Sequence, residues 1–123
     1  MNLAELSLPR SGPSVRLEER DGTVYVIRAT AETAVGSVEL SRTANGDITV
    51  ERVCIAERER GRGAGTEAAN ILTTAAREAG ARRLFAWAPP GNGLAVYYWI
   101  RCGFRPLFGA RDGGGSRFLV EFE

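Results

Sequence analysis

The chain has no histidine and no lysine; all 16 of its basic residues are arginines. Without histidine there is no imidazole base, no Ser-His pair and no histidine metal ligand. Without lysine there is no phosphate-loop lysine. GC-rich arginine codons are sufficient to explain one cation replacing the other. Cysteine is scarce too: Cys54 and Cys102 make no zinc pattern and read as reduced, half-buried core residues. No metal is expected. No apolar run approaches the ~20 residues of a membrane span. The start, "MNLAELSLPRSGPS", lacks the basic head and long apolar core of a secretory signal. A cytoplasmic location without membrane partners is the expectation. A net charge of +1 gives no general nucleic-acid surface, so no nucleic-acid partner is expected either.

What is present suits one domain. A chain of 123 residues, 44% hydrophobic and 25% charged, has the length and balance of a single soluble domain, 1–123, with one core. "VRLEER" (15–20) and "TVYVIRAT" (23–30) flank Asp21-Gly22, a hairpin signal. "AVGSVEL" (34–40) follows, and Asn45-Gly46 turns the chain into "DITVERVCIA" (47–56). Four strands in succession predict an antiparallel meander. The fourth has a phase slip: Ile48 and Val50 share one face, Val53 and Ile55 the other. An extra residue near Glu51-Arg52, a β-bulge, would restore the alternation. Burial of the strand on both faces is the alternative.

Further on, Ala68, Ala69, Ile71, Leu72, Ala75, Ala76 and Ala79 recur at helical spacing, with Gly80 as a stop. "RRLFAWA" (82–88) predicts a fifth strand, ended by Pro89-Pro90-Gly91. Asn92 can cap a second helix running to about Cys102, with Gly103 as its stop. "FRPLF" and "SRFLVEF" predict final strands joined by "GARDGGGS". The order β-β-β-β-α-β-α-β-β is that of an α+β domain with a mixed sheet.

Between the fourth strand and the first helix lies "RERGRGAGTEA" (58–68). Strand, glycine-rich turn, helix start is a physical recipe for an anion site. The first helical turn has unpaired N–H groups and partial positive charge. Glycines allow close approach of a phosphate, and Arg60 and Arg62 add charge-assisted hydrogen bonds. A solvated arginine-rich loop is the plainer reading of the same residues. The preceding strand closes an antiparallel meander, which does not suit a Rossmann turn.

In this context the chain resembles the GCN5-related N-acetyltransferase superfamily (GNAT) from about residue 47 to 108. Arg60, Gly63 and Gly65 fit its Gln/Arg-x-x-Gly-x-Gly/Ala signature, with Arg62 completing an "RGRG" variant. Asn92, Ala95 and Gly103-Phe104 fit its second region. The resemblance implies a mixed, mostly antiparallel sheet flanked by helices, with a V-shaped splay between strands four and five. It implies an acyl-CoA-dependent N-acyltransferase, with acetyl-CoA the default donor and a small-molecule or peptide amine the acceptor. The backbone of Arg60, Gly61, Arg62, Gly63, Ala64, Gly65 and Thr66 would cradle the CoA pyrophosphate. Val53, Cys54 and Ile55 would pair with pantetheine, and Asn92 would lie near that arm.

Two departures qualify the resemblance. The family's leaving-group acid is a tyrosine midway between the alanine and the glycine of the second region. Here that position is Trp99, whose indole is hardly an acid. Tyr98 and Tyr97 are the candidates to substitute, with core packing as their other role. The amine's base would be Glu51, with Glu39 weaker, or water. Also, only Asp21-Gly22 separates the first two strands, so the family's first two helices are missing. The acceptor side should be open, or completed by a second copy or another partner. The aromatics Tyr97, Tyr98 and Trp99, read as exposed, would contribute there. A catalytically weak acyl-CoA-binding sensor or interaction module on the same fold is the alternative function.

Overall fold

The computed structural model describes residues 6–42, 46–61, 63–107 and 114–122. In chain order the elements are β1 (Arg10–Ser11), β2 (Val15–Arg20), β3 (Thr23–Arg28), β4 (Thr33–Arg42), β5 (Ile48–Ile55), α1 (Ala64–Glu78), β6 (Arg83–Ala88), α2 (Gly93–Arg101), β7 (Arg105–Leu107) and β8 (Ser116–Glu121). The strands form one sheet in the order β1-β2-β3-β4-β5-β6-β8-β7. The two-residue β1 and a 3-10 turn at Glu57–Glu59 have no counterpart in the sequence pattern. The expected strands one to five are β2 to β6, so the expected splay falls between β5 and β6. Asn45, Phe108 at the end of the predicted "FRPLF" strand, and residues 109–113 of the last predicted connection lie outside the described residues.

The meander forms as expected, with Arg20 opposite Thr23 across Asp21-Gly22. The phase slip in β5 is a bulge. Glu39 faces Arg52 and Leu40 faces Val50, which leaves Glu51 as the extra residue. Before it, Ile48 and Val50 are buried; after it, Val53 and Ile55 pack against the same core. Burial on both faces is therefore not the solution. The bulge also corrects the reading of Cys54. With Val53 and Ile55 turned inward, the residue between them turns outward, and Cys54 is exposed. Cys102 is half-buried, and both thiols are free.

The sheet divides where β5 meets β6. The two run parallel through Ile48↔Leu84, Thr49↔Phe85 and Val50↔Ala86, and their pairing stops there. Beyond it β5 stays with β4, while Trp87 and Ala88 stay with β8. At the closed end of this V sits Asp47, only 4% exposed. It accepts two hydrogen bonds from Arg83, from Nε at 3.0 Å and Nη2 at 2.7 Å. A carboxylate buried to that degree has to be paired, and the pairing ties the bases of β5 and β6 together.

Helix α1 buries an alanine-rich stripe, Ala64, Ala68, Ala69, Ala75 and Ala76 with Ile71 and Leu72, against β2, β3 and β5. Helix α2 leans on β6 and β7 and feeds the same core. Trp99 is 3% exposed, its ring 4.7 Å from that of Tyr98 and 4.9 Å from that of Phe104. This corrects the view of Tyr97, Tyr98 and Trp99 as an exposed set. Trp99 fills the core, Tyr98 is half-buried and Tyr97 alone is exposed, because α2 turns their side chains about 100° apart.

Gly36 on β4 lies where the bulged pair draws close. A Cβ there would run into the Cys54 carbonyl oxygen, a backbone atom that cannot swing aside. Gly36→Ala should lower unfolding stability by about 1–3 kcal/mol, read as a lower urea midpoint at unchanged slope.

Candidate functional site

The chain leaves β5 at Ile55, makes the 3-10 turn, and enters α1 through Arg60, Gly61 and Gly63. Arg62 lies outside the described residues. Gly61 and Gly63 both have φ of +81°, a conformation L side chains rarely adopt, and nothing lies within 4 Å of where their Cβ atoms would be. Gly63 is the N-cap of α1 and offers no side-chain cap. The first i→i−4 bond runs from Glu67 N to Gly63 O at 2.9 Å. The N–H groups of Ala64, Gly65 and Thr66 precede it, at the positive end of a 15-residue helix. The sequence therefore builds an uncapped donor cluster beside open space. Arg60 borders it, donating from Nε to the Ile55 carbonyl at 3.2 Å.

Three side chains brace this turn. Arg28 of β3 pairs with Glu59 at 3.3 Å, both largely buried, and reaches Ser14 Oγ at 3.3 Å. Glu67 spans from α1 to the start of β2, accepting from Ser14 N at 2.8 Å, Ser14 Oγ at 2.9 Å and Val15 N at 2.6 Å. From the other side, the Tyr98 hydroxyl donates to the Gly65 carbonyl at 2.6 Å. Burial, with a smaller effect of nearby Cys102, pushes the Tyr98 phenol well above its ordinary pKa. For Glu67, partial burial acts upward, but the Ser14 and Val15 amides, the Ser14 hydroxyl and the Arg28 charge outweigh it. Its carboxyl is held below the usual range.

An open groove of about 560 Å³ touches the turn at Gly63 and Thr66 and follows α1 past Asn70 and Thr74, bordered by Arg10 and Arg101. On β5, Val53 and Ile55 are half-buried and Cys54 is exposed; toward β6 these three have no ladder partner among the described residues. Glu51 occupies the bulge, where Ser41 Oγ donates to its Oε1 at 2.9 Å. Glu39 is exposed and paired with Arg52. Asn92 is exposed, and its side-chain oxygen accepts from Ala95 N at 3.0 Å, capping α2 as expected.

Glu67 and Arg28 are absent from the sequence-derived site because their partners are 52 and 31 residues away. One signal existed: Glu67 is the acidic residue of the first turn of α1, where a carboxylate suits the helix dipole. Its partners turn out to lie across the fold instead.

The sequence pattern of the acetyltransferase (GNAT) family matches residues 4–104, and the chain belongs to that family. Among curated proteins it is similar to the uncharacterized N-acetyltransferase YobR of Bacillus subtilis, 35% identical over 75 residues. That match takes in 61% of this chain and 29% of YobR, under a third of the relative's length. Among solved structures, a GCN5-related N-acetyltransferase from Brucella melitensis superposes with a TM-score of 0.75 at 19% identity, over 90% of this chain and 77% of that one. A Bacillus subtilis acetyltransferase in complex with CoA gives 0.69 at 13% identity, over 82% and 78%. The mixed, mostly antiparallel sheet with two helices matches these folds, without the family's first two helices.

Because Glu67 is held below its unfolded pKa, it contributes stability above the ordinary carboxylate range, and that contribution is lost as pH falls through the folded pKa. Glu67→Gln puts an amide N–H₂ against donors that need an acceptor. It should cost about 1–3 kcal/mol at neutral pH. The gap between variant and wild type in urea denaturation should narrow below about pH 4.

Proposed function

We propose that the chain is an acyl-CoA-dependent N-acyltransferase, with acetyl-CoA as donor and a primary amine on a small molecule or peptide as acceptor. The observation that carries this reading is the uncapped start of α1, placed directly after a strand that has parted from its neighbour. The N–H groups of Ala64, Gly65 and Thr66, with the Gly61 and Gly63 backbone and Arg60 and Arg62, would hold the pyrophosphate. The groove along α1 would take the nucleotide half. The edge of Val53, Cys54 and Ile55 would pair with pantetheine as an added strand, and Asn92 would border that arm. Residues 1–123 would act as one acyl-CoA-binding unit, alone or with its acceptor side completed by a second copy. Two free thiols suit a reducing, cytoplasmic setting.

In the transfer, the amine nitrogen bonds to the thioester carbon, the C–S bond breaks, and the sulfur ends with the proton the nitrogen gives up. Glu51, at the bulge where the V opens, is the base this reading assigns, directly or through water. Positioning supplies the larger part of the acceleration. A sensor that binds acyl-CoA without turnover is the second reading, and burial of Trp99 at the family's acid position favours it.

Calorimetry with CoA tests the donor site. The wild type should bind, Arg60→Ala about three- to tenfold more weakly. Gly63→Ala, forced into a left-handed conformation beneath the phosphates, should lose more. A wild type that fails to bind would sink the reading. Thiol release from acetyl-CoA in the presence of an amine panel separates enzyme from sensor.

A further inference from the structure

Tyr98 and the start of α1 are built for each other. The Tyr98 hydroxyl reaches the carbonyl of Gly65, the second residue of the helix, at 2.6 Å. Its ring defines what residue 65 can be: a Cβ on Gly65 would lie 3.3 Å from Tyr98 Cε1 and 3.5 Å from Ile55 Cγ1. Trp99 backs the ring at 4.7 Å, in an edge-on arrangement, and is itself locked by Phe104. The hydroxyl thus sits at the end of a packed column running Phe104, Trp99, Tyr98, Gly65. Opposite, Glu67 fixes the same helical turn to Ser14 and Val15.

From this the geometry points to Tyr98 as a positioning residue for the donor's phosphates: it holds the first turn of α1 in the orientation that aims its free N–H groups, and does not protonate the departing sulfur. The inference rests on the reading that this turn binds the pyrophosphate. A proton engaged with a carbonyl and a phenol raised by burial are both poor sources for a leaving thiolate. A hydroxyl fastened to the backbone of the binding turn is well placed to control its conformation. When a brace is removed, apparent affinity falls by the fraction of molecules that keep the competent conformation. The order of magnitude follows from one hydrogen bond, about three- to tenfold.

The test uses binding alone, so no acceptor is needed. Calorimetry compares the wild type with Tyr98→Phe, which keeps the ring and its packing. The ligands are CoA, desulfo-CoA, and the nucleotide half, 3′-phospho-ADP. A positioning role weakens all three by the same three- to tenfold factor. Exchange of the Glu67 amide, the first bonded N–H of α1, should quicken in the ligand-free variant while β5 is unchanged. A loss confined to the sulfur-bearing ligand, or unchanged affinity for the nucleotide half, would overturn the inference. If the wild type binds none of the three, the donor-site reading fails instead, so the two failures are distinguishable.

Discussion

The parting of β5 from β6 after Val50↔Ala86 is the constraint on which the rest of the molecule depends. A parallel pair would continue if both strands kept their alternation. Glu51 breaks that alternation: the extra residue kinks β5 and re-phases Val53 and Ile55 onto the core. The cost of an unpaired edge is contained by the closed end of the V, where Arg83 clamps Asp47. Bulge and clamp are complementary, since one forces the strands apart and the other limits where they separate.

The parted strand then delivers the chain to α1. The loop between them carries glycines at φ of +81° and would gain little order from its own contacts. Its order comes from side chains rooted elsewhere: Arg28 on Glu59, Glu67 on the β2 amides, Tyr98 on Gly65. Each is at least partly buried, where a hydrogen bond is worth more than at the surface. The unpaired backbone donors at the start of α1 are thus held in place by side chains rooted in other elements of the fold.

Much of this was legible in the sequence because it is local. Asp21-Gly22, Gly80, Asn92 and Gly103 mark element ends by their own backbone or side-chain chemistry, and the phase slip at Glu51 is visible in eight residues of β5. The glycine–arginine run and the start of α1 form another contiguous signal. What was not legible depends on long-range neighbours. The exposure of Cys54 follows from which solution the phase slip adopts. The burial of Trp99 follows from where α2 lands, and one residue along a helix changes the facing direction by about 100°. Glu67, Arg28 and the Tyr98 hydroxyl find partners 14 to 53 residues distant, and no periodicity announces such pairs.

The missing helices have a physical counterpart on the sheet. Both α1 and α2 pack into one core, on the face carrying Leu17, Val26 and Val50. On the opposite face the paired residues Glu18, Tyr25, Ser37 and Cys54 run in a row across β2 to β5. Around them Glu18 pairs with Arg16 and Arg20, Arg16 with Glu32, and Glu39 with Arg52. Exposed pairs of this kind contribute little because water and salt screen them, so stability does not explain them. Solvation does: a sheet face without a helix over it must satisfy water, and alternating charge achieves this while discouraging apolar association. A chain that had merely lost two helices would leave an apolar scar. The β2 to β5 row instead carries polar and charged side chains, and the buried apolar residues outside the main core, Ile27, Phe85 and Leu119, are few and separate.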